Sequence, residues 1–192
     1  MRDKNEHFFV TKSFGLNNYY FNRFYDAFSL LLLTTTAFLI PFVLGHPQFL
    51  VGTIVNLLLI EASLYLDFKK TIPIITMPSL GALSRAILFG PLTIFLIYMI
   101  PFIWIANTIL VLVIKVLHFK FKKNLFVVGV LGAVLKTAFL FATAFTLFSF
   151  GIVPKQFLTA FGINQFLTAF SALVLIYPTV VLRKKNFRLK QA

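Results

Sequence analysis

Asn56, Asn107 and Lys136 each interrupt a long apolar run, and they fall at similar depth within those runs. A polar side chain in hydrocarbon is costly, so these are the residues most worth a chemical explanation. Lys136 lies about 16 Å from the inner end of its run, at the helical rise of ~1.5 Å per residue. Snorkelling to the headgroups is hard from that depth. A buried ammonium wants an anion or a carbonyl-rich ligand. Two readings stay open: the three groups line a ligand cavity, or they form a hydrogen-bonded cluster that joins helices. Trp104, Asn164 and Gln165 lie nearer the outer face, at the mouth of such a cavity. Tryptophan at that level also serves as an interface anchor.

Glu61 is the only acid inside a span. It lies about 8 Å from the cytoplasmic end of its span by the same rise, and Arg85 is expected at about the same depth. A structural ion pair between Glu61 and Arg85 follows as an expectation, with snorkelling of Arg85 as the other outcome.

Much chemistry is missing. There is no HExxH, no GxSxG and no phosphate-cradling glycine loop. Carboxylate-pair catalysis needs two acids at one site, and the spans hold one. The absence of Cys excludes disulfides, Cys-ligated zinc and thiol catalysis. A Ser/Lys dyad at Lys136 has no spacing in its favour. The chain is therefore expected to be no enzyme, with no catalytic residue, no metal ligand set and no cofactor.

The elements that must hold these residues follow from composition. The 192 residues are 59% apolar and 12% charged, a balance that nearly excludes a soluble fold. Net charge is +13, and the basic residues cluster between apolar runs and at the tail. That is the cytoplasmic lysine and arginine excess of membrane proteins, with contacts to anionic lipid, rather than a nucleic-acid surface.

Residues 1–26 are polar, basic and aromatic and read as an interfacial segment, with Asn17 or Asn18 as a helix cap. Residues 27–182 read as a six-helix transmembrane domain, and 183–192 as a basic cytoplasmic tail. The spans are expected at about 27–43, 49–66, 80–98, 102–117, 125–149 and 165–182. Pro73 and Pro78 act as breakers before the third span. The stretch 80–114 is either two short spans or a re-entrant hairpin. Six crossings put every basic cluster, and both termini, on the cytoplasmic face. The fold class is thus an all-α integral membrane bundle. Gln156–Phe161 and Gln165–Phe170 repeat one hexapeptide as adjoining amphipathic pieces, the first expected at the outer surface. Ala82 with Ala86, Gly129 with Ala133 and Ala138 with Ala142 mark faces for close helix approach or for a partner subunit.

Two stretches carry a family likeness. One is Pro78-Ser-Leu-Gly-Ala-Leu-Ser-Arg-Ala-Ile-Leu-Phe-Gly-Pro91; the other is Ile100-Pro-Phe-Ile-Trp-Ile-Ala-Asn107. With the Gln-Phe-Leu-Thr-Ala pieces they resemble the substrate-binding S component of energy-coupling factor (ECF) transporters, over about residues 71–182. The resemblance implies capture of a small solute in an outward-facing pocket built by the later spans. It also implies a transmembrane coupling subunit and two ATPase subunits as partners. The first helix departs from that family: it carries Thr34-Thr35-Thr36-Ala37 where many S components have an alanine-x-x-x-alanine docking face. A non-catalytic subunit or scaffold of another membrane complex, or a small carrier or channel, is the alternative function.

Overall fold

The computed structural model describes residues 19–85 and 93–189. Among them the chain is helical, with no strand: α1 (Tyr19–Val43), α2 (Gln48–Tyr65), α3 (Phe68–Arg85), α4 (Thr93–Val113), a π-helical extension of α4 (Ile114–Lys120), α5 (Leu125–Ser149), α6 (Gln156–Phe161) and α7 (Ile163–Leu189). Among the described residues four segments are long and apolar enough to cross a membrane: Gln48–Tyr65, Phe95–Lys120, Leu125–Ser149 and Gln156–Leu182. The apolar part of α1, Ala27–Val43, is shorter. The protein is an α-helical, multi-pass membrane protein. Helices suit this environment because all their backbone hydrogen bonds close within one segment. Large apolar side chains such as Leu31, Val127, Phe145 and Leu175 point outward. In a bilayer that surface is solvated by acyl chains; in water it would be an aggregating patch.

Short connections make successive helices antiparallel. Gly45, at a left-handed φ of 63°, turns the chain between α1 and α2. Only Leu66 and Asp67 separate α2 from α3. The Asp67 carbonyl accepts from the Lys70 and Thr71 N–H groups and starts α3. α1 packs mainly on α3, α2 on α7, α4 on α5, and α5 also on α7. One approach is backbone-close: a Cβ on Gly81 of α3 would stand 2.2 Å from the Phe38 carbonyl oxygen of α1. Gly129 of α5 instead faces the Leu173 side chain of α7, which can shift more easily. The Gly129–Ala133 face is thus internal, Ala138 and Ala142 face outward, and Ala86 lies outside the described residues.

Several boundaries differ from the sequence expectation. Pro73 and Pro78 are inside α3 and do not break it. Thr76 donates to the Ile72 and Pro73 carbonyls and Ser79 to the Thr76 carbonyl, so side chains occupy backbone acceptors near the prolines. The helix therefore starts at Phe68; its described part runs to Arg85 and that of α4 from Thr93, and Trp104 of α4 bonds back to Ser79 of α3, so residues 80–98 are not one span. α4 also runs through Pro101. At the other end, α1 begins at Tyr19, inside the segment expected to lie on the surface; residues 1–18, with Asn17 and Asn18, lie outside the description. α7 carries its helix through Leu189, so most of the basic tail extends the last span. The first hexapeptide piece, α6, is amphipathic as expected: it turns Phe157, Ala160 and Phe161 onto the bundle and leaves Gln156 and Thr159 exposed.

The core is layered. One apolar cluster takes Leu58–Ile60 of α2, Ile74 and Ile75 of α3, Leu110 and Ile114 of α4 with its extension, Val128 of α5 and Leu173 of α7. A second takes Ala82 of α3, Leu96 and Met99 of α4, Leu140 and Ala144 of α5, and Phe157 and Phe161 of α6. On α3, α4 and α5 the polar residues Ser79, Asn107 and Lys136 fall in sequence between the members of the two clusters.

Candidate functional site

The polar layer is built by helices that would otherwise be uninterrupted apolar rods. α2 contributes Asn56, α3 Ser79, α4 Asn107, α5 Lys136 and α7 Thr168, and all five are buried. Lys136 is 2% exposed. Its Nζ donates to Asn56 Oδ1 at 2.6 Å. Asn56 Nδ2 donates in turn to Thr168 Oγ1 at 3.1 Å and to the Gly52 carbonyl at 2.9 Å. Thr168 passes its own proton to the Gln165 carbonyl at 3.0 Å. Asn107 Nδ2 donates to the Ile75 carbonyl at 3.0 Å, in the turn that Pro78 disturbs. Trp104 Nε1 donates to Ser79 Oγ at 2.8 Å.

These groups surround a cavity of about 90 Å³. Asn56, Asn107, Lys136, Asn164 and Gln165 all line it. Trp104 does not; it reaches the wall through Ser79, which does. Gln48 joins Asn164 and Gln165 near the α2 and α7 N-termini, at the end away from Lys69, Lys70 and Lys120–Lys123. Apolar wall comes from Val51, Ala82, Leu96, Ile103 and Phe161. The space is several times what one water needs, about 10–15 Å³.

The donor and acceptor balance is uneven. An ammonium has three N–H groups. Among the described residues Lys136 uses one, on Asn56. Among the described residues no carboxylate lines the cavity. Taking an ammonium out of water costs several kcal/mol, and a single amide oxygen offsets only part of it. The side-chain amides of Gln48, Asn164 and Gln165 make no hydrogen bond to a described residue, and Asn107 Oδ1 has no donor among them. The cavity therefore offers one buried amino group at depth and neutral amides toward its mouth. Among the described residues no group of three or more His, Cys, Asp or Glu could hold a metal ion.

Comparison with family models, curated proteins and solved structures finds no match for the chain.

Glu61 and Arg85 are not brought together. No ion pair joins them among the described residues. The expectation failed because α3 begins at Phe68 rather than near residue 80. Arg85 is then about 25 Å along α3 by the rise per residue. Glu61 stays one turn from the end of α2, at the opposite end of the antiparallel pair. It neighbours the level where Lys115 Nζ donates to the Ser63 and Leu66 carbonyls and closes the α2 C-terminus. His46 and Gln156 are exposed and do not line the cavity.

Sequence reasoning missed Ser79, Thr168 and Gly52. Serine and threonine in an apolar helix ordinarily satisfy their hydroxyls on a carbonyl of the preceding turn, so they leave no signal. Thr53, Ser63 and Thr108 do only that. What separates Thr168 is the Asn56 amide reaching it from another helix.

Proposed function

We propose that the chain is the membrane-embedded capture subunit of an importer, binding a small solute in the cavity around Lys136. The observation that carries this reading is the Lys136 amino group, buried beside open space and, among the described residues, bonded only to Asn56 with no acid beside it. The solute supplies the missing acceptor: a carboxylate, another small anion, or a carbonyl-rich group. Gln48, Asn164 and Gln165 complete its recognition at the mouth, and the apolar wall takes its body. If the chain crosses six times with the Lys69–Lys70 and Lys120–Lys123 end and both termini inside, as its lysine and arginine bias suggests, the mouth opens on the outer side.

The chain has no nucleotide-binding motif of its own. Uphill uptake then needs ATPase partners and a coupling membrane subunit, as the likeness to ECF S components implies. A second reading has support from one specific observation. The chain Lys136–Asn56–Thr168 ties α5, α2 and α7, and a purely structural joint has the same geometry. Native mass spectrometry of gently purified protein separates the two. Capture predicts a bound small molecule on the wild-type chain and its loss from a folded Lys136→Met variant. A joint predicts no bound molecule on either.

A further inference from the structure

A second concavity lies at the opposite, lysine-rich end of the bundle, independent of the solute cavity. It is a groove of about 560 Å³ between the α4 extension, the start of α5 and the last turns of α7. His118, Lys122 and Lys123 line one side; Tyr177, Val180 and Val181 line the other. No acid lines it. We propose that this groove seats an anionic phospholipid, with the phosphate against Lys122 and Lys123 and the upper acyl chain along Val180 and Val181.

The lysines are displayed by a loop that is held in place. The Phe121 N–H donates to the Val116 carbonyl and the Lys123 N–H to the Leu117 carbonyl, which ties the loop back onto the π-helical turns. His118 Nδ1 lies 2.8 Å from the Lys123 carbonyl. Asn124 accepts from the Phe126 N–H and caps α5. Lys122 itself has a φ of 53°, a left-handed conformation uncommon for lysine. Such backbone and π-helical turns recur where a fold positions a functional group. Here they fix the stems of two adjacent cations, so less freedom is lost when an anion binds.

Charge alone would accept free phosphate. The apolar wall favours a lipid. Val181 is 45% exposed, so the apolar wall of the groove is open on the side of the bundle. α7 continues past it, and the sequence puts Arg183, Lys184 and Lys185 in its next turn, at headgroup level.

The test uses the full chain in nanodiscs of equimolar phosphatidylcholine and phosphatidylglycerol, released into detergent for native mass spectrometry of retained lipid. Two ammoniums at the surface correspond to a preference for phosphatidylglycerol of roughly thirtyfold. Lys122→Asn with Lys123→Gln should bring that ratio close to one; asparagine tolerates the left-handed backbone, so the loop keeps its shape. Lys69→Gln removes an exposed charge at the same end outside the groove and should leave the ratio unchanged. An equal loss per charge in both variants means diffuse attraction only and overturns the site. Displacement of the lipid by inorganic phosphate overturns the lipid assignment, since the acyl contact would then contribute nothing.

Discussion

Replacing Lys136 by methionine sets two free-energy terms against each other. Methionine keeps the length and apolar stem and removes the charge. One charge-assisted hydrogen bond to Asn56 disappears, worth about 1.5–3 kcal/mol. Asn56 keeps its bonds to Thr168 and Gly52, and the adjoining cavity of about 90 Å³ can supply a water to its Oδ1. Against that loss, the desolvation penalty of a buried ammonium, several kcal/mol, is removed. Without ligand the variant should be as stable as wild type or more so. For the bound solute the sign reverses, because its charge-assisted contact is lost. The same 1.5–3 kcal/mol then becomes about a 10- to 150-fold weaker affinity. The assay is thermal unfolding in detergent, followed by native mass spectrometry of retained solute. A fall in Tm beyond about 10 °C, at roughly 2–4 °C per kcal/mol for a chain of this size, with the solute still bound, would refute the reasoning. Lys136 would then be a joint between helices and nothing more.

Three further outcomes are expected. Gly81→Ala puts a Cβ 2.2 Å from the Phe38 carbonyl oxygen, so α1 and α3 must separate; overpacking of this kind costs about 1–3 kcal/mol, read as a lower Tm. Trp104 is the single tryptophan and donates to Ser79 in the cavity wall, so its fluorescence should change on solute binding; Ser79→Ala should shift the emission of the free protein. The chain has no cysteine, so Lys69→Cys and Ser84→Cys, exposed near opposite ends of α3, give a clean topology test. An impermeant thiol reagent should reach position 84 from outside and position 69 only from inside. Labelling of both from one side would show that α3 does not cross.

The membrane class and the identity of the out-of-place polar residues were legible because both rest on local quantities. Hydrocarbon excludes polar groups whatever the fold, so Asn56, Asn107 and Lys136 stood out within their apolar runs. Asn164 and Gln165 were placed at the outer end by counting spans, and the cavity includes them. Where the reading failed, at α3, it failed on proline. Pro73 and Pro78 look like stops in isolation, yet Thr76 and Ser79 occupy nearby backbone acceptors, and Asn107 from α4 takes the Ile75 carbonyl. The misplaced start of that helix then misplaced Arg85 and created an ion pair with Glu61 that the bundle does not contain.

The sequence by itself determined that the chain is helical and apolar, where its cations gather, and which residues are out of place in lipid. Those properties follow from transfer free energies, which belong to residue types and their order. Only the tertiary structure decided that Lys136 faces Asn56, that Thr168 completes the chain, and that Ser79 rather than Trp104 lines the cavity. Rotation about a helix axis is nearly free in energy for a segment apolar on all sides. The close approaches at Gly81 and Gly129, and not any pattern within one helix, fix which residues meet.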